Sequence, residues 1–169
     1  MGQKNVNSSQ ARLPIPADKI YCPDANALID LYHAGLIKKL RPFIINGTVR
    51  IPEGVYRELK RKTDKLKRTL DKWNSNYNAV VNLASHEKLE FSRIETSYKN
   101  DFRVGTKTCA GLWRTPSGRK GIDSQVISFG KVRGWVVVSH DSSVKGACAI
   151  ENVECITWEE FGRRMRIIH

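Results

Sequence analysis

Long apolar runs are missing from this sequence. None approaches the roughly 18 consecutive apolar residues that a bilayer-spanning helix requires, so no membrane-spanning segment is expected. The opening stretch, MGQKNVNSSQARLPIPADK, lacks the apolar core of a signal peptide, and nothing in it marks the chain for export. It begins Met-Gly, but the sixth residue is Val6 rather than the Ser or Thr of a myristoylation signal. Metal-type cysteine spacing is missing too. Cys22, Cys109, Cys148 and Cys155 make no Cys-x-x-Cys pair, and no histidine pair completes a zinc pattern. Cys22, Cys148 and Cys155 lie in or beside apolar segments, where a free thiol packs as a small hydrophobe. Reduced cysteines in a cytoplasmic protein are the expectation. Acidic residues are scarce: 17 stand against 29 Lys and Arg, for a formal net charge of +12. That imbalance points to polyanionic partners, nucleic acid first, acidic lipid or acidic protein second.

At 169 residues the chain is long enough for one domain with a sizeable core. Residues 1–18, polar and with two prolines, read as a loose arm. Residues 19–169 read as a single domain with a basic helical and loop insertion around 59–121. No internal repeat is present.

Strand-like and helix-like runs alternate. KIYC reads as a short strand, and Ala27, Leu28, Leu31 and Tyr32 then make one helical face. GLIKKLRPFIING reads as a short helix broken or ended at Pro42 and Gly47. TVRIP is a second strand. Val55, Leu59, Leu66, Leu70 and Trp73 recur at helical spacing, which predicts one long amphipathic helix beginning near Pro52. A helix is predicted around NYNAVVNLASHE, a strand at KLEFSRI, and a long loop at 96–121. IDSQVISFGKVRG is a helix closed by Gly134, and WVVVSH is apolar without alternation, as in a parallel strand buried on both faces. SSVKGACAI is a helix, VECITW a strand and WEEFGRRMRII a final helix. Strands separated by helices predict an α/β fold, a three-layer α/β/α sandwich around a parallel-rich sheet.

Four carboxylates stand apart from the rest. Asp24 ends the first strand and Asp141 directly follows WVVVSH. Asp123 begins the intervening helix, and Glu58 lies early in the long one. Each has a plain structural reading: Asp24, Asp123 and Asp141 are good helix N-caps, and Glu58 sits among charged neighbours on a solvated face. In a parallel sheet, however, the carboxyl ends of the strands share one edge, where open α/β folds hold ligands. Carboxylates gathered there repel one another, and a hard divalent cation with oxygen ligands relieves that repulsion.

The ordered set Asp24-x-Asn26, IPEGVYREL with Glu58, GIDSQVISFG with Asp123 and VVVSHDSSV with Asp141 resembles the PIN-domain family, over roughly residues 19 to 161. The resemblance implies a PIN-like sandwich and a divalent-metal-dependent endoribonuclease using Mg²⁺ or Mn²⁺. Asp24, Glu58, Asp123 and Asp141 would be the metal-binding, catalytic acids, with Asn26 bracing the first loop and Ser139 orienting the last acid or its water. Many bacterial and archaeal members are toxins of toxin–antitoxin pairs, and others process RNA. RNA is therefore the expected partner, with an antitoxin protein as another and a homodimer among the forms left open. Glu53 competes with Glu58 for the second acid position; VYREL fits the family pattern, and Glu53 is a natural first-turn residue facing the helix dipole. The chain between Glu58 and Asp123 is longer than a compact toxin of this family needs.

Outside the acids, residues 57 to 72 carry eight basic and three acidic side chains, which suit either a solvated face or a phosphate track. Lys60, Arg61, Lys67, Arg68, Arg114, Arg119 and Lys120 are the candidate nucleic-acid contacts. Trp113 could stack on an unpaired base or pin its loop to the core. A His140–Asp141 phosphohydrolase pair would need further His and Asp ligands on helices. A non-catalytic nucleic-acid-binding or scaffold protein on the same fold, and a nuclease acting on DNA, are the alternatives.

Overall fold

A parallel sheet of short strands frames the molecule. The computed structural model describes residues 19–60 and 64–169, so the expected arm at 1–18 and Arg61 lie outside the described residues. The strands are β1 (Tyr21–Pro23), β2 (Ile51–Pro52), β3 (Val80–Val81), β4 (Phe102–Val104), β5 (Lys107–Cys109), β6 (Val136–Val138) and β7 (Cys155–Ile156). The helices are α1 (Ala25–His33), α2 (Arg41–Ile45), α3 (Glu53–Leu59), α4 (Asp64–Tyr77), α5 (Lys88–Ser97), α6 (Pro116–Arg119), α7 (Ile122–Arg133), α8 (Ser142–Ile150) and α9 (Trp158–Arg164).

β1 pairs in parallel with β6, and β6 with β7, in a register that sets Cys22 beside Val137 and Val138 beside Ile156. β2 pairs in parallel with β3. A parallel bridge from Tyr21 to Val49 joins the two groups, closed by Tyr21 N–H to Thr48 O at 2.8 Å and Arg50 N–H to Tyr21 O at 3.0 Å. The resulting order is β3-β2-β1-β6-β7. α7 packs on β1 and β6, α3 on β2 and β3, and α8 on β7. The fold is thus a PIN-like α/β/α sandwich. Val136, Val137 and Val138 are all buried, which explains their lack of alternation. Each such side chain contributes about 1.5–3 kcal/mol on burial. Among the described residues no helix is long and apolar enough to cross a membrane.

Four local expectations differ from the structure. The long helix from Pro52 is two helices: α3 ends at Leu59, and α4 packs back against α3 and α2. Leu59, in α3, and Leu66, in α4, are both fully buried. The segment around NYNAVVNLASHE is not one helix: Asn76 and Tyr77 end α4, and Ser85–Glu87 make a single 3-10 turn. Asn78 takes φ +53, which stops α4, and the β-branched pair Val80–Val81 adds β3 to the sheet. KLEFSRI is helix rather than strand, because Phe91, Ile94 and Tyr98 recur at spacings of three and four and turn one face inward.

Residues 96–121 are not a plain loop. They hold an antiparallel hairpin, β4–β5, with Gly105 at φ +59 in its two-residue turn, then a 3-10 turn and α6. The hairpin lies so close to α8 that a Cβ at Gly146 would stand 2.7 Å from Cys109 Sγ.

An ion-pair network centred on the buried Glu151 carboxylate, with its cations at the surface, fastens α5 and α7 to the end of α8. Glu151 accepts from Arg93 at 2.6 and 3.1 Å and from the Tyr98 hydroxyl at 2.5 Å, and Lys131 stands 3.4 Å away. Burial opposes its ionisation, but Arg93, Tyr98 and Lys131 outweigh that and hold the carboxyl down at about 2.

Candidate active site

Of the turns from strand to helix at the carboxyl edge of the sheet, those after β1 and β6 carry Asp24 and Asp141. Because the strands are parallel neighbours, Asp24 and Asp141 emerge side by side. Asp24 N–H donates to Val138 O at 3.0 Å, tying the two strand ends together. Both acids are also helix caps. Asp24 Oδ1 accepts the Ala27 N–H at 2.8 Å, and Asp141 Oδ1 accepts the N–H groups of Ser143 and Val144 at 2.8 and 2.9 Å. Capping uses one oxygen, Oδ1, of each carboxyl group.

Ser139, fully buried between them, donates its hydroxyl to Asp24 Oδ2 and accepts the Asp141 N–H at 3.1 Å. Asp123 arrives from the first turn of α7. It is not the cap of that helix: Gly121, at φ +73, holds the cap position without a side-chain bond. Glu58 arrives from the last turn of α3, where the Ser117 hydroxyl donates to Oε1 at 2.5 Å. Gln125 of α7 accepts the Gly54 N–H at 2.9 Å and so ties the helix that carries Glu58 to the helix that carries Asp123.

These elements bring Asp24, Glu58, Asp123 and Asp141 to the lining of one cavity of ≈ 130 Å³, together with Ala25, Asn26, Thr115 and Ser117. The electrostatics follow from the crowding. Burial, then the charges of Asp141, Asp24 and Glu58, push the Asp123 carboxyl up to about 7. Burial also raises Asp24, against the hydrogen bonds from Ser139 and Ala27, with Asp141 and Asp30 adding repulsion. The donor set is all hard oxygen, which suits Mg²⁺ or Mn²⁺, and its repulsion is what a cation would relieve. Among the described residues, no group of three or more His, Cys, Asp or Glu side chains is drawn together closely enough to hold a metal ion. The acids line the cleft rather than converge on one point.

The remaining candidates divide. Asn26 is exposed at the cleft, and Glu53 pairs with Arg57 at 2.5 Å outside it. Lys120 lines the neighbouring cavity, and Arg119 is exposed at the end of α6. Lys60 stands 4.9 Å over the Tyr56 ring, Lys67 is half-buried and Arg68 exposed on α4, and none of these three lines the acid cleft. Arg114 is held by both carboxylate oxygens of Asp101, at 2.7 and 2.5 Å. Trp113 has Lys99 over its ring at 4.4 Å. His140 bonds Glu159 at 2.7 Å.

Thr115 and Ser117 are cleft residues that lie in the segment expected to be a loop, and they are not among the sequence candidates. Their signal was present: Thr115 caps α6 by accepting the Gly118 N–H at 3.1 Å, with Pro116 at its first position. Gly118 is required there, since a Cβ would collide with the Leu112 carbonyl.

Comparison with solved structures follows the same architecture. VapBC2 from Rickettsia felis, solved bound to a DNA fragment from its promoter, is 16% identical, with a TM-score of 0.51 over 82% of this chain and 98% of that one. At that identity the likeness is one of fold. PAE2754 from Pyrobaculum aerophilum is 14% identical with a TM-score of 0.47, over 89% of this chain and 98% of that one. FitAcB from Neisseria gonorrhoeae is 11% identical with a TM-score of 0.48, over 83% and 99%. No protein-family profile and no curated protein matches the chain.

Proposed function

We propose that this protein is a divalent-metal-dependent endoribonuclease. The observation that carries the reading is the cleft itself: four carboxylates from two strand ends and two helices line one small cavity in a chain of net charge +12. Asp24, Glu58, Asp123 and Asp141 would hold Mg²⁺ or Mn²⁺. When bound, the cation would supply Lewis-acid polarisation of the phosphate and a more acidic water. The protein's own residues prepare that site. Ser139 holds the Asp24 carboxyl in place and braces the Asp141 backbone, and Ser117 holds Glu58. The basic surface would carry the phosphate chain, positioning it without reading its bases.

The same reading takes an antitoxin protein as a partner, supported by the PIN resemblance, and a reducing cytoplasmic setting, supported by the four free thiols. Cleavage of mixed single-stranded and structured RNA with Mg²⁺, Mn²⁺ or EDTA tests it, beside DNA of the same sequence. Metal-dependent RNA cleavage that disappears in Asp24→Asn and Asp141→Asn is expected. Cleavage of the DNA alone would make it a DNA nuclease, and binding without cleavage would make it a non-catalytic binder.

A further inference from the structure

A second cavity of ≈ 540 Å³ lies against the acid cleft. It is lined by Gly54, Arg57 and Glu58 of α3, by Pro116, Ser117 and Lys120 in and after α6, and by Ile122 of α7. Glu58 and Ser117 line both spaces, so one hydrogen-bonded pair forms their common wall.

The two spaces differ in chemistry. The cleft presents four carboxylates. Its neighbour shares one of them, Glu58, and adds two cations, Arg57 and Lys120, beside apolar Pro116 and Ile122. Lys120 is exposed, and Arg57, paired with Glu53 at 2.5 Å, keeps more than half of its side chain in solvent. A surface ion pair of that kind is weak and leaves the guanidinium able to exchange partners. A volume in the range of about 300–1,000 Å³, mostly apolar lining and a few polar groups are the properties of a small-molecule subsite. Here the ligand must combine a flat apolar body with negative charge, and it must continue into the cleft.

We propose that this cavity is the subsite for the nucleotide adjacent to the scissile phosphate of a single-stranded RNA, its base over Pro116 and Ile122 and its phosphate on Arg57 and Lys120. The proposal rests on the nuclease reading of the cleft. It also gives the long segment before α7 a role, since α6 supplies Ser117 to the shared wall and ends at Lys120. A base entering the cavity must leave its stack, which an unpaired strand permits and a duplex resists.

The test measures binding of a short fluorescent single-stranded oligoribonucleotide in EDTA by anisotropy, so that no cleavage enters. Lys120→Glu and Arg57→Glu are compared with Lys38→Glu, the same charge change on an exposed residue outside both cavities. The subsite predicts a loss of about tenfold for the first two and about twofold for the control, a contrast beyond what general phosphate attraction gives. It also predicts that a duplex of the same sequence is insensitive to Lys120→Glu beyond the control. With Mn²⁺ present, Lys120→Glu should raise KM far more than it lowers kcat. Equal losses in all three variants, or none, overturn the subsite. If the wild type cleaves nothing while the binding contrast holds, the nuclease reading fails, and with it the scissile phosphate, and the cavity is left as a nucleotide-binding site of a non-catalytic single-strand binder.

Discussion

Ser139 and Asp24, 115 residues apart in sequence, share a buried hydrogen bond at the meeting point of β1 and β6. The serine hydroxyl gives its proton to the carboxylate and takes the Asp141 N–H in return, so one small side chain fixes both strand-end acids. A hydroxyl on a single methylene is the smallest side chain that both donates and accepts a strong hydrogen bond from one atom.

Ser139→Ala removes both bonds and leaves a buried carboxylate oxygen and a backbone N–H short of a partner. A stability loss of about 1–3 kcal/mol is expected, read as a fall in the thermal midpoint of several degrees. Under the nuclease reading Mn²⁺ affinity should fall about 10–100-fold, measured by titration calorimetry. An unchanged midpoint would show that water replaces the hydroxyl at no cost.

Asp24 is at once a cap and a cleft carboxylate, so Asn and Ala separate its roles. Asn keeps the bond to the Ala27 N–H but turns an amide toward Ser139, for a modest loss of stability. Ala gives up the cap as well, costing about 1 kcal/mol more. Under the nuclease reading both variants should lose nearly all metal-dependent cleavage. Native-rate cleavage by the Asn variant, measured on labelled RNA, would reduce Asp24 to a cap.

Much of this site was legible because its acids sit where local signals are strongest. Asp24 and Asp141 follow short apolar strands and precede helical periodicity, so sequence places them at one edge as soon as the strands are parallel. Glu58 and Asp123 were placed by family pattern, and only the tertiary packing of α3 on α7 brings them to the cleft. The misses have physical causes. KLEFSRI alternates weakly as a strand does, but its helical face becomes visible only when Tyr98 is counted with it. Val80–Val81 was masked by the preceding helix, which Asn78 stops. The hairpin at 102–109 carried a Gly-Thr turn signal inside a stretch whose charge suggested solvent.

The Glu151 network sets an acid limit. Its folded carboxyl is held at about 2 and its ordinary value is 4.5, so its contribution is complete above the ordinary value and lost as pH falls toward 2. Arg93→Ala removes two of its bonds and should cost about 1–3 kcal/mol at pH 7. The difference from wild type should shrink between pH 4.5 and 2 in urea titrations. A difference that stays constant to pH 2 would assign the loss to packing of the arginine stem.

Asp123 works in the opposite sense and in another window. Its carboxyl is pushed from an ordinary 3.8 up to about 7 by burial and by Asp141, Asp24 and Glu58. Between those values the folded chain holds a proton that the unfolded chain has released, so this group's contribution to stability falls as pH rises, and above about 7 the full penalty is present. In EDTA at pH 8, Asp123→Asn should therefore be more stable than the wild type, and the advantage should vanish as pH falls through the window toward 4. Adding Mn²⁺ should reverse the order at pH 8, because a ligand that binds only the folded state raises the wild-type midpoint and finds one anionic donor fewer in the variant. Thermal melts of both proteins across pH, with and without the metal, decide it. An Asn variant less stable than wild type at pH 8 in EDTA would mean that Asp123 holds the fold together instead of straining it, and the cleft would lose its need for a cation.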